Sequence, residues 1–173
     1  MALLNGVPGD TDRGAAVRIS YLVVLLGTTV YLVSCFLPYF EVELGGPNEG
    51  VTMFEQLQVG SEHWTLDLST LLILFGAAAV LAAVAIVGLL GRGDRLWNPA
   101  LLAVVALAWS LTSFGTLLRA SALRQSPLPQ TLSLDVGFWV QVFGVLVVVL
   151  GTMALLVTAR RAAMREPLPS VGP

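Results

Sequence analysis

The chain has 173 residues, 56% of them hydrophobic and 12% charged, with a formal net charge of −2. Soluble domains carry about 25% charged residues, so a chain this poor in charge lacks the groups to coat a water-facing surface, and no nucleic-acid partner is expected. The length allows one domain, the single cysteine, Cys35, excludes an intrachain disulfide, and the mean hydropathy of +0.84 points to a membrane protein.

Residues 1–18 are polar and Gly-rich and read as a disordered N-terminal tail. The first uncharged segment runs from Ile19 to Leu37. Tyr21 opens it and Pro38, Tyr39 and Phe40 close it, at the depth where aromatic rings favour the membrane interface. Within it, Leu32-Val33-Ser34-Cys35 matches the bacterial lipobox, in which a peptidase cuts before a cysteine that becomes lipidated. The apolar run continues through Phe36 and Leu37, so an uncleaved helix is the expectation and lipidation of Cys35 the alternative.

Residues 41–68 form a large acidic loop with Glu41, Glu43, Glu49, Glu55, Glu62 and Asp67 and no basic residue. FEVEL alternates like a half-buried strand, GGPNEG signals a turn, and VTMF can return as a second strand. Thr52 with Glu55 also fits a capping box, which would make Met53 to Gln58 a short helix instead. Glu55, Glu62, His63, Trp64 and Asp67 are the candidate interaction residues of this loop. Carboxylates with an imidazole can ligate a divalent cation, but their spacing matches no ligand motif, and a solvated acidic loop is expected.

The second span covers 69–90 and ends in the polar link GRGDR. Trp97 and Pro99 open the third span, 100–118, with proline where a helix has no N–H to satisfy. Residues 119–135 form a second polar loop containing Pro127, Pro129 and the alternating stretch TLSLD. The fourth span, 136–159, has twenty-four residues and no charge. At about 1.5 Å per residue it crosses a hydrocarbon core of about 30 Å. The tail, 160–173, is basic and then Pro-rich. The sequence thus predicts an all-α membrane protein, a four-transmembrane-helix bundle with a small extracytoplasmic cap.

All nine basic residues are arginine, which with abundant Ala, Val, Leu and Gly suggests a GC-rich bacterial genome. Seven of them (Arg13, Arg18, Arg92, Arg95, Arg160, Arg161 and Arg165) fall on one side of the spans, and Arg119 and Arg124 on the other. Basic residues stay inside, so both termini are expected in the cytoplasm of a bacterial cell, beneath its cytoplasmic membrane.

Small residues recur every seven positions. Gly137, Gly144 and Gly151 mark the fourth span, Gly27 and Ser34 the first, Gly76 the second and Ser113 the third. A sustained period of 3.5 residues predicts left-handed helix packing on these small faces, within the bundle or against a second protein. The spans also hold Ser20, Thr28, Thr29, Ser110, Thr112, Thr116, Gln141 and Thr152. Hydroxyls can return a hydrogen bond to their own helix. Trp109 lies mid-span, where its indole N–H needs an acceptor, and a hydroxyl of the first span is one choice.

No Asp, Glu, Arg or His lies inside any span, which argues against a proton-coupled carrier. One histidine excludes bis-histidine haem ligation, and one cysteine excludes a CxxC relay. No catalytic residue, cofactor or metal is expected. The layout, with Pro38-Tyr39 ending the first helix and Gly137-Phe138-Trp139 opening the last, resembles small uncharacterised four-helix bacterial membrane proteins. In outline it is also claudin-like, without the claudin signature of tryptophans and paired cysteines. The resemblance implies topology and no functional residue.

The expected role is that of a non-catalytic accessory or assembly subunit, acting through helix packing and its acidic outer loop. Its partners would be the lipid bilayer and another membrane protein or itself. The alternative is a transport or channel component for a small or apolar solute, with a path between the first and third spans. An enzyme would have to use the outer face around Glu55, Glu62, His63 and Asp67.

Overall fold

The computed structural model describes residues 9–43, 49–54, 57–59, 62–64, 66–91, 97–124 and 131–163, with side chains described over 14–41, 50–54, 66–91, 99–122 and 133–161. Four helices carry the fold: α1 (Gly9–Ser34), α2 (Leu68–Leu89), α3 (Trp97–Arg124) and α4 (Val136–Ala163). Each contains a stretch long and apolar enough to cross a membrane: Gly14–Ser34, Leu68–Leu89, Pro99–Ala122 and Val136–Arg161. They run up and down in sequence order and close into a ring, each helix packing on its chain neighbours and α4 returning to α1 in the most extensive contact.

The helices outrun their apolar segments. α1 starts at Gly9, within the stretch expected to be a disordered tail. α3 continues to Arg124, into the expected second loop, and α4 to Ala163. Arg and Ala are strong helix formers, and Arg160 and Arg161 lie at the C-terminal end of α4, where positive charge is favoured.

At one end the two loops join in a three-stranded antiparallel sheet of order β2-β1-β5, built from β1 (Pro38–Glu43), β2 (Glu49–Thr52) and β5 (Thr131–Leu134). The expected hairpin is therefore present, with Glu41 opposite Gly50. The rival helix over Met53 to Gln58 is not: Met53 and Phe54 turn, and Leu57–Val59 is a strand, β3, paired with β4 (Glu62–Trp64). The TLSL stretch pairs with β1, Glu41 facing Ser133.

Short contacts fix the sheet to the bundle. The Asp135 N–H donates to the Tyr39 carbonyl at 3.1 Å, and the Asp135 carboxylate accepts from the Val136 N–H at 2.6 Å, opening α4. Tyr39, Phe40, Leu117, Ala120 and Phe138 form an apolar plug beneath the sheet. A larger core of Val24, Tyr31, Leu74, Leu81, Leu102, Trp109, Val148, Leu155 and their neighbours fills the bundle.

The burial pattern is inverted relative to a water-soluble bundle. Leu26, Leu72, Val104, Leu111, Phe143 and Leu150 are 60 to 67% exposed on the outside. Ser20, Thr28, Ser34, Ser113, Thr116, Gln141 and Thr152 are buried inside.

Candidate functional site

The small-residue positions separate into two groups. Gly27, Gly144 and Gly151 lie where α1 meets α4. A Cβ at Gly27 would stand 2.8 Å from the Val148 amide nitrogen, and one at Gly151 would stand 2.9 Å from Val24. Gly137 lies against the Leu37 and Pro38 carbonyls, where only a bare backbone lets α4 start beneath β1. Ser34 and Ser113 are fully buried. Gly76 departs from the expected packing face: it is exposed, and nothing stands within 4 Å of a Cβ placed on it. α2 is so rich in small residues that the seven-residue match there carries no information about its neighbours.

Most hydroxyls of the spans bond to their own helix, as their chemistry allows. Ser20 donates to the Ala16 carbonyl at 3.0 Å, Thr28 to Val24 at 2.8 Å, Ser34 to Tyr31 at 2.6 Å and Thr116 to Ser113 at 2.7 Å. A second set does not. The Tyr31 hydroxyl, the Trp109 indole nitrogen, the Ser110, Ser113 and Thr152 hydroxyls and both amide atoms of Gln141 are buried without a hydrogen-bond partner in the protein. Trp109 therefore does not reach a hydroxyl of α1. It meets the Tyr31 ring edge-on instead, with centroids 4.4 Å apart, across the diagonal of the ring of helices.

Tyr31 is the residue that sequence reasoning missed. Its signal was a tyrosine in mid-span, far from the interface belt and between two small positions, Gly27 and Ser34. Its hydroxyl adjoins Ser113 and Gln141. Tyr31, Trp109, Ser113 and Gln141 thus make one polar cluster shared by α1, α3 and α4, and each is fully buried.

A second feature opens sideways between α3 and α4. Ala103, Ala106, Leu107 and Ser110 face Val149, Thr152, Met153 and Leu156 across a groove of about 240 Å³. Each wall is a set spaced i, i+3, i+4, i+7, which is one helix face about 10 Å long. Ser110 and Val149 lie near the middle of their apolar stretches, and the other lining residues run toward the start of α3 and the end of α4, so the groove occupies the half of the bundle away from the sheet.

The outer-loop candidates fall largely outside the described side chains. Glu62, His63 and Trp64 form β4, and their side chains, like all of Glu55, lie outside the described residues. Asp67 is exposed just before α2, and the Ser69 hydroxyl donates to its carboxylate, which holds the carboxyl below the usual carboxylate range. Cys35 is a free, buried thiol that donates to the Tyr31 carbonyl at 3.4 Å. It packs in the core of the bundle.

No family model matches the chain, and neither a curated protein nor a solved structure matches it. Fold and site define a bundle of four helices, each long and apolar enough to span a membrane, closed at one end by a small sheet.

Proposed function

We propose that this chain is an integral protein of a bacterial cytoplasmic membrane, with both termini in the cytoplasm, serving as a non-catalytic accessory or assembly subunit. It would hold one apolar transmembrane helix of a partner protein in the α3–α4 groove. The outward apolar surface and inward polar groups support membrane insertion, because hydrocarbon rewards the first and penalises exposure of the second. The groove carries the partner reading. The glycines of α1 and α4 are already consumed by each other, so they leave no small face for a second protein. The groove offers one instead, with Ala103, Ala106 and Ser110 along α3, and small residues let a helix approach closely. A neighbouring helix would fill it with a ridge of side chains.

The transport alternative draws on the buried polar cluster. Against it, the apolar plug of Tyr39, Phe40 and Phe138 lies at one end and Leu102, Val148 and Leu155 are buried in the core.

Photo-cross-linking tests the reading. A benzoylphenylalanine replaces Met153, which lines the groove and is 60% exposed, or Ile73 on α2 as a control. The expected result is a stoichiometric cross-link from position 153 to a transmembrane peptide of one second protein, absent from position 73 and lost with Ala103→Phe. A cross-link to lipid alone, or equal cross-linking from both positions, would overturn the proposal. Native mass spectrometry of the complex in mild detergent gives its stoichiometry.

A further inference from the structure

The polar cluster at the centre of the bundle has a physical consequence that stands apart from any partner. Tyr31, Trp109, Ser113 and Gln141 bring five side-chain polar atoms from three helices into one place, all shielded from the surface. Together they offer an indole N–H, two hydroxyls and a whole carboxamide. The Tyr31 hydroxyl adjoins both Ser113 and Gln141, yet none of the five atoms meets another at hydrogen-bonding geometry. The Cys35 thiol beside Tyr31 already donates to a helix carbonyl, and hydrocarbon outside the bundle offers neither donor nor acceptor. Buried polar groups in native proteins are almost always satisfied, by protein or by ordered water.

We propose that Tyr31, Trp109, Ser113 and Gln141 enclose a buried water site inside the bundle. Water is the ligand that the donor set selects. A mixed set of donors and acceptors needs a molecule that both gives and takes hydrogen bonds, typically about three at once. A cation would leave the Trp109 N–H and the Gln141 amide hydrogens facing it, and an anion would face the Gln141 carbonyl. Trp109 donates to the site, Gln141 gives and accepts, and the two hydroxyls rotate to complete the network. The site ties α1, α3 and α4 together at the level where Tyr31 crosses the ring.

Radiolytic labelling in water enriched in oxygen-18 tests this on the whole protein in detergent. Hydroxyl radicals born from a bound water oxidise the side chains beside it, and Tyr31 and Trp109 are both reactive and fully buried. Trp139, 59% exposed, is the positive control. The expected result is heavy-oxygen label on Tyr31 and Trp109 as well as Trp139. In Gln141→Leu the label on the two buried residues is lost while that on Trp139 stays. Should Gln141→Leu not fold, Tyr31→Phe serves in its place, with Trp109 as the reporter. Label on Trp139 alone in the wild-type protein would mean a dry cluster and overturn the proposal. Undiminished label on Trp109 in both variants would overturn it too, because the water would not then be held by these groups.

Discussion

A methyl group built on Gly144 would sit 2.8 Å from the Tyr31 amide nitrogen and 3.1 Å from the Gly27 carbonyl oxygen. Both are backbone atoms of a packed helix, so neither can move aside like a side-chain tip. Gly76 offers the contrast of open space at the same point. Gly144→Ala should therefore destabilise the bundle by about 1–3 kcal/mol, the usual cost of overpacking. Gly76→Ala should be neutral or stabilise by up to about 1 kcal/mol, through reduced freedom of the unfolded chain. Denaturant unfolding in detergent compares the two, and equal effects would break the distinction. The sequence showed both glycines in the same seven-residue frame. The frame says which side of its own helix a residue occupies, not whether another helix lies there. Val and Leu surround Gly144, so a glycine there was informative. Gly76 sits in an Ala-rich run, where a small residue was nearly certain. Tyr31 escaped for the opposite reason: a single aromatic has no period.

Elements divide in the same way. The helices were legible because hydropathy over a long window is a sum, and residue-level errors cancel. Their ends were not, since Arg and Ala continue a helix beyond the apolar run without changing its chemistry. The β1–β2 hairpin was legible from local alternation and a Gly-Pro-Asn turn. The pairing of β1 with β5 was not, because it joins positions about ninety residues apart and nothing local names the partner strand. That pairing makes a definite prediction. Glu41 and Ser133 are opposite one another, and the Ser133 hydroxyl donates to the Glu41 carboxylate at 3.3 Å. Directly opposed residues of an antiparallel pair have Cβ atoms about 4.5–5.5 Å apart, close to what a disulfide spans. The double variant Glu41→Cys with Ser133→Cys should cross-link within the chain on mild oxidation, read as a mobility shift that reductant reverses. No intramolecular cross-link would mean that the two loops do not share a sheet. The sheet matters beyond itself, since it anchors the start of α4 through Asp135 and Tyr39.

At the scale of the whole molecule, a sign of direction comes from charge and not from shape. The bundle has a sheet end and an open end, and a bilayer would accept either one facing outward. The arginines break that symmetry: by chain order, seven flank the span ends away from the sheet and two, Arg119 and Arg124, flank the ends on its side. Arginine counts near the span ends set orientation during insertion. Even a shift of a few residues in the span boundaries leaves the difference intact, because the nearest arginines come in clusters: Arg92 with Arg95, and Arg160 with Arg161. The sheet end should therefore face out, carrying the acidic residues Glu41, Glu43, Glu49 and Glu62 with it. In a background with Cys35→Ser, Gly46→Cys would mark the outer hairpin and Gly93→Cys the link between α2 and α3. A membrane-impermeant maleimide added to intact bacterial cells should label position 46 at once and position 93 only after the membrane is opened. The reverse pattern would invert the protein. Labelling of both sites in intact cells would mean two populations, and the arginine bias would then be too weak to decide. The first pattern alone fits a protein whose acidic cap meets its partners outside while the groove between α3 and α4 receives a helix within the bilayer.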